Sequence, residues 1–403
     1  MPDPIRRRER IAKSLLFGLV LGLAPMTIEA VDGIVFFWLG AHEAPYIYRA
    51  SPLLLASDGN LYGTTTSQGE GATDQGTILR MTPEGDSMTV HVFDYEHIDD
   101  GLYPYGTLVQ GSDEWIYGTA YGGGVNDSGL VFRFAPTGAF EVMHRFVGTT
   151  DGAKPFAGLV LARDGNFYGT TTQGGSASGA GTIYRMTPQG VVDTLYAFLP
   201  PGEDDGYYST TTLLQARDGG LYGTTQSSHH LHSPSTAFRL SANGTYKLLH
   251  YFKPGEGIYP SALIQADDGD LYGVALEGGA NGVGTAFRMT RDGEVSVLHD
   301  FSSDGADGFY PQGPLVQESD GRLYGTTFAG GCRSSCGFGE GTVYRMTLDG
   351  ASTVLHTFGP KTPGQYPFPG LTRAPGRRLI GVTIDDENPH QGIHVFGVGE
   401  PRD

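Results

Sequence analysis

The chain has 403 residues, of which 63 are Gly, 39% are hydrophobic and only 17% are charged. Glycine at about twice its usual share, without every-third-position spacing, excludes collagen, and this much apolar content excludes a disordered linker. A formal net charge of −18 sets the surface against phosphate backbones and anionic lipid, so neither nucleic acid nor a membrane surface is an expected partner.

Five basic residues lie at the amino end, Arg6, Arg7, Arg8, Arg10 and Lys13, and the apolar stretch Leu15–Leu23 follows them. That stretch has the length of a signal-peptide core and is short for a bilayer span. Ala30, at the end of Met26-Thr27-Ile28-Glu29-Ala30, is the expected residue before cleavage. Residues 1–30 are therefore predicted as a signal peptide, and the protein as secreted, periplasmic or surface-located. No later apolar run is long enough to span.

One phrase then recurs along the chain. Leu61-Tyr62-Gly63-Thr64-Thr65 returns with small changes around Tyr117, Tyr168, Tyr222, Tyr272 and Tyr324, and in weaker form around Ile380. The mean spacing of these seven anchors is 53 residues. Length alone suggests two or three domains, but a repeat of this period assigns residues 31–403 to one body.

Each copy divides into four short segments. In the third, Gly158–Ala162, Phe167–Thr172, Thr182–Met186 and Val192–Phe198 read as strands. An Asp-Gly pair separates the first two, at Asp58-Gly59, Asp164-Gly165, Asp218-Gly219, Asp268-Gly269 and Asp320-Gly321. Such a pair between apolar runs predicts a type I′ hairpin. Four strands at this period predict an all-β protein, a seven-bladed β-propeller of four-stranded antiparallel blades. The seventh copy stops short of a fourth strand, while Gly33–Trp38 precedes the first copy without a blade of its own. The N-terminal strand is expected to complete the last blade and close the ring, which makes a monomer the expected state.

These copies resemble the GloVer tandem-repeat family, whose repeats read approximately LYGTT-x-GG-x-N-x-G-TVF-x-(L/M)-T-P-x-G. Leu323–Thr327, Gly330-Gly331 and Gly341–Thr347 carry that pattern closely. The resemblance implies an exported protein, in many members surface-attached through a C-terminal anchor, and no particular activity. Pro401-Arg402-Asp403 carries no such anchor.

A residue present in every copy is framework before it is catalyst, because one active site needs one copy. Arg80, Arg133, Arg185, Arg239, Arg288 and Arg345 occupy one third-strand position, and His91, His144, His250, His299 and His356 one fourth-strand position. Both sets read as packing and hydrogen-bonding residues. The loops after the fourth strands vary more and place Tyr103, Tyr208, Tyr259 and Tyr310 beside Asp and Gly. Aromatic faces next to carboxylates suit sugar rings or a cationic group, so these four are the candidate ligand-binding residues.

Two loops abandon the repeat. Ser227–Pro234 contains His229, His230 and His232, and Asp385–His390 contains Asp385, Asp386 and His390. The four histidines are candidate bases, and the two aspartates candidate metal ligands. No cofactor is expected, although the charge is compatible with a divalent cation such as calcium. Cys332 and Cys336 lie in a Gly-rich loop and are expected to close a small disulfide.

GxSxG, HExxH and P-loop motifs are absent. The leading expectation is a binding or interaction module for a polysaccharide or an envelope protein. The alternatives are a lyase-type polysaccharide enzyme with its site at the channel mouth, and a purely structural surface repeat.

Overall fold

The computed structural model describes residues 29–31, 34–42, 47–67, 75–82, 85–175, 179–199, 206, 208–226, 234–241, 243–303, 307–331, 340–359, 364–374, 378–384 and 393–399. Seven antiparallel sheets form a seven-bladed β-propeller. Among the described residues, two short 3-10 turns, Ile98–Asp100 and Val125–Asp127, are the only helical elements beside the strands. Among the described residues no helix is long and apolar enough to cross a membrane.

Blade 2 shows the plan. Its strands run outward as Val109–Gln110, Ile116–Ala120, Leu130–Phe134 and Phe140–Arg145. The repeated phrase is the second strand, and each of its positions does separate work. Ile116 is buried, while the Tyr117 hydroxyl donates to Asp113 at 2.7 Å. Gly118 is required because a Cβ there would fall 2.5 Å from Phe132 Cζ, in a ring packed flat against the strand. Thr119 donates to the carbonyl of Ala157 in blade 3 at 2.9 Å. The last Thr of the phrase pairs with a third-strand Thr, as in Thr65 with Thr77 and Thr225 with Thr236, both at 2.7 Å.

The six Tyr–Arg positions coincide across strands two and three, from Tyr62 opposite Arg80 to Tyr324 opposite Arg345. The fourth-strand His residues hold the loop that follows them. His144 bonds Asp151 at 2.9 Å, His250 bonds Glu256 at 2.7 Å and His299 bonds Asp307 at 2.6 Å. Both sets act as framework.

The Asp-Gly hairpins differ from the expected type I′ turn. Gly59, Gly165, Gly219, Gly269 and Gly321 have positive φ, but the preceding Asp residues do not. Ala56 accepts from Gly59 N and donates to Asn60 O, so the loop is a three-residue turn ending in a left-handed Gly. The Asp carboxylate decides it. Asp58 accepts from the backbone N–H of Asn60 at 3.0 Å and from the Tyr62 hydroxyl at 2.8 Å, which favours a compact turn.

Ile34–His42 pairs with Ile393–Gly399 and supplies the fourth strand of blade 7, with Glu29–Val31 added outside it. Seven apolar clusters fill the seven seams between blades. Leu53, Leu61 and Leu79 of blade 1 pack with Val382 and Val395 of blade 7, which closes the ring. Backbone clamps reinforce the seams near the axis, where Gln110, Gln215, Gln265 and Gln317 accept from Ser57, Arg163, Arg217 and Asp267 of the preceding blade at 2.7–2.9 Å.

Candidate functional site: a cup at the channel mouth

The loops after the fourth strands meet the loops between second and third strands on one face of the disc. Leu102 bridges to Gly122 there, and Ala153 to Gln173. The inner strands of blades 2 to 7 are each entered through a residue in the left-handed region: Tyr103 (φ 56°), Lys154 (59°), Tyr208 (61°), Tyr259 (57°), Tyr310 (56°) and Tyr366 (50°). The backbone there is fastened to two blades. Tyr310 N–H donates to Val283 of the preceding blade, and the Tyr103 carbonyl accepts from Tyr121 of its own. For a non-Gly residue this conformation costs about 1–3 kcal/mol, which Gly would largely avoid. The backbone therefore does not select Tyr at these places.

Two residues further on, the side chains turn to the axis and differ from blade to blade. Blades 2, 3 and 7 present Tyr105, Phe156 and Phe368, whereas blades 4, 5 and 6 present Thr210, Ser261 and Gln312. Blade 1 presents Ala50. Together with Leu276 of a second strand and Gln226 just after another, they line a cavity of about 500 Å³. Its lining is chemically mixed. Tyr105 and Phe156 stack with centroids 4.8 Å apart. Blades 4 to 6 add hydroxyls and amides together with the rings of Tyr208 and Tyr259. Further along the inner strands, Thr107 of blade 2 reaches Thr212 of blade 4 at 3.0 Å past Gly158 of blade 3, which ties these strands together below the cup.

Two cations stand at this mouth. Arg49 replaces the Pro found at the same position in five other blades (Pro104, Pro155, Pro260, Pro311 and Pro367). Its guanidinium lies 5.7 Å from the Tyr105 ring centroid and 5.6 Å from those of Phe156 and Phe368, within cation–π range. Lys154 bonds Asp127 at 2.7 Å and lies 5.0 Å from the Tyr121 ring. The Tyr121 hydroxyl is hydrogen-bonded to Tyr208, and burial first, then its phenolic neighbours, raise its pKa.

Of the four sequence-predicted tyrosines, Tyr208 and Tyr259 line the cup. Tyr103 lies behind it, stacked on Tyr105 at 6.2 Å with its hydroxyl 2.9 Å from that of Tyr95. Tyr310 packs edge-on against Phe309 at 5.0 Å. His229, His230, His232, His390, Asp385, Asp386, Cys332 and Cys336 lie outside the described residues. Gln226, which ends the described part of its loop one position before Ser227, lines the cup. Among the described residues no group of three or more His, Cys, Asp or Glu side chains is placed to hold a metal.

Sequence reasoning missed Arg49, Tyr105, Phe156, Gln226, Gln312 and Phe368. The available signal was positional. Aligned on the left-handed residue, the copies share a Gly two positions before it and a Leu four or five positions after it, while the residue two positions after it changes from copy to copy.

Two overlapping segments, residues 41–233 and 203–395, match the Gloeobacter/Verrucomicrobia repeat. The chain belongs to that repeat family. No curated protein matches it. Among solved structures it is similar to polysaccharide lyase Uly1, with a TM-score of 0.57 over 94% of this chain and 100% of that one. A protein of unknown function from Dyadobacter fermentans gives 0.51 over 92% and 100%. Both are 12% identical to this chain, so the likeness is one of fold.

Proposed function

We propose that this protein is an exported saccharide-binding module whose ligand seats in the cup. The observation that carries the reading is the lining of the cup, where aromatic rings (Tyr105, Phe156 and Phe368, with Tyr208 and Tyr259) stand beside hydroxyls and amides (Thr210, Ser261, Gln312, Gln226). A pyranose has matching chemistry, with apolar C–H faces for the rings and edge hydroxyls for the amides and hydroxyls. The left-handed tyrosines support it, since Tyr208 and Tyr259 occupy backbone positions better suited to Gly and turn their rings to the cup. The basic and apolar segment over residues 6–23 supports export.

The fold is shared with a protein named as a polysaccharide lyase. Binding rather than turnover is favoured here because no described lining residue is a His or a carboxylate. Tyr121, beside the cup, has its pKa raised and keeps its proton at neutral pH. A glycan array probed with the purified chain tests the reading. Binding to a defined set of glycans, abolished by Phe156→Ala with Tyr105→Ala, is expected. Glycan binding unaffected by that double variant places the ligand elsewhere, and unsaturated-uronate absorbance on incubation with acidic polysaccharide returns the lyase reading.

A further inference from the structure

We propose that the cup receives the terminal residue of a glycan, end-on along the propeller axis, and does not bind residues inside a chain. The inference rests on the saccharide-binding reading and adds which part of the polymer is recognised.

The wall of the cup carries it first. Every blade contributes to the lining, from Ala50 of blade 1 to Phe368 of blade 7. A cleft for the middle of a chain needs two open ends, and a wall built from all seven blades has none among the described residues. The seams in that wall are the second observation. In blades 2, 3, 6 and 7 the residue just before the lining side chain is a Pro, packed on a Gly of the preceding blade. A Cβ at Gly76, Gly129, Gly284 or Gly341 would fall 2.5–2.6 Å from the Cδ of Pro104, Pro155, Pro311 or Pro367 respectively. No part of a glycan can leave between those blades. Deeper down, blades 2 to 4 close up further. A Cβ at Gly158 would fall 2.1 Å from Thr107 Oγ1, which in turn reaches Thr212 at 3.0 Å.

Size is the third. A cavity of about 500 Å³ lies within the range of roughly 300–1,000 Å³ that encloses one small ligand, not a run of sugar rings. An internal residue carries a glycosidic bond at both ends. To seat it, the chain would have to descend one wall and climb the opposite one, with both linkages at cup depth. A terminal residue carries one linkage, enters along the axis and leaves its chain in solvent. It also keeps one more free hydroxyl than an internal residue, which suits the hydroxyls and amides of Thr210, Ser261, Gln226 and Gln312 among the rings.

The test is an array of linear oligosaccharides of neutral, uronic and amino sugars, probed with the purified full chain. Each is tethered once through its reducing and once through its non-reducing end, and each is also displayed with its free end capped by a foreign sugar. Bound glycans are expected to share their displayed end residue whatever their internal sequence. The cap is expected to weaken binding about tenfold or more, the scale on which a shaped pocket rejects a misfitting group. Thr210→Phe then fills the cup. The fold accommodates a ring there, because Tyr105, Phe156 and Phe368 hold the same place in other blades. The variant is expected to lose end binding about tenfold or more while still melting as a folded protein. Gln312→Phe, at the same place in blade 6, serves if Thr210→Phe fails to fold, which circular dichroism shows directly. Glycans that share an internal motif and survive capping overturn end recognition. They leave the saccharide reading intact if Phe156→Ala with Tyr105→Ala abolishes their binding, and overturn it as well if not. End-specific binding that a folded Thr210→Phe leaves within about twofold places the chain end outside the cup and overturns the inference. No bound glycan overturns both readings.

Discussion

Arg49 and Phe368 meet at 5.6 Å although they belong to the first and last blades. Only closure of the ring brings them together. The N-terminal strand that completes blade 7 is thus also what assembles this aromatic part of the cup.

Closure can be weakened at one residue. Phe36 is buried in the closing strand, stacked on His356 with centroids 3.6 Å apart and on Phe396 at 5.2 Å. Phe36→Ala is expected to cost about 3–5 kcal/mol through lost burial and the cavity left behind. Urea unfolding measures this, with Met88→Ala, half-exposed on an outer strand, expected to stay within about 0.5 kcal/mol.

The repeated phrase makes an equally local prediction. Gly118→Ala would force a Cβ against Phe132 and is expected to destabilise by about 1–3 kcal/mol. Tyr272→Phe removes only the hydroxyl bond to Asp268 at 2.7 Å, at a cost of about 1 kcal/mol. Reversing that order in denaturant titrations would refute the roles assigned to the two positions.

Acid should loosen the blades at their turns. Burial pushes the carboxyls of Asp58, Asp164 and Asp218 upward, but hydrogen bonds outweigh it and hold them below their ordinary value. The donors are Asn60 and Tyr62 for Asp58, Asn166 and Tyr168 for Asp164, and Gly220 and Tyr222 for Asp218. Glu256 is likewise lowered, burial being outweighed by the Lys253 N–H and His250. A depressed native pKa contributes stability above the unfolded value and loses it as pH falls through the native one. The urea midpoint is therefore expected to hold from neutrality to about pH 4 and to fall below it, near unfolded carboxyl values of about 3.9–4.3. Asp218→Asn should flatten that fall. A midpoint unchanged down to pH 2.5 would contradict the assignment.

Tyr208 separates stability from binding. It is left-handed and 36% exposed, so Tyr208→Gly relieves backbone strain of about 1–3 kcal/mol against the entropic cost of Gly and the loss of its hydroxyl bond to Tyr121, about 1 kcal/mol. The melting temperature is expected to stay the same or rise, while saccharide affinity falls about 2- to 12-fold, the worth of one aromatic contact. A large loss of stability would make Tyr208 framework.

The ring was legible in the sequence because six blades spell nearly the same contacts and the seventh keeps a weaker form of them around Ile380. Tyr117 needs its Asp113, Gly118 its flat ring and Thr119 its neighbouring carbonyl, so the phrase cannot drift. The hairpin type was not legible, since Asp-Gly suits two turns and the Asp58 bonds to Asn60 and Tyr62 choose between them. The cup was hidden by the same repetition that revealed the fold. Its walls are built from the positions that vary, such as Tyr105, Thr210 and Gln312, and no local motif marks a residue as facing the axis. Tyr208 and Tyr259 were found through their loops. Arg49 was passed over because its neighbours in the cup come from three other blades.

The most direct measurement is a crystal structure of the chain soaked with the glycan selected on the array. The account predicts a sugar ring stacked on Tyr105 or Phe156, with hydroxyls toward Gln226 and Gln312. A sugar bound on another surface, with the cup holding only solvent, would contradict it.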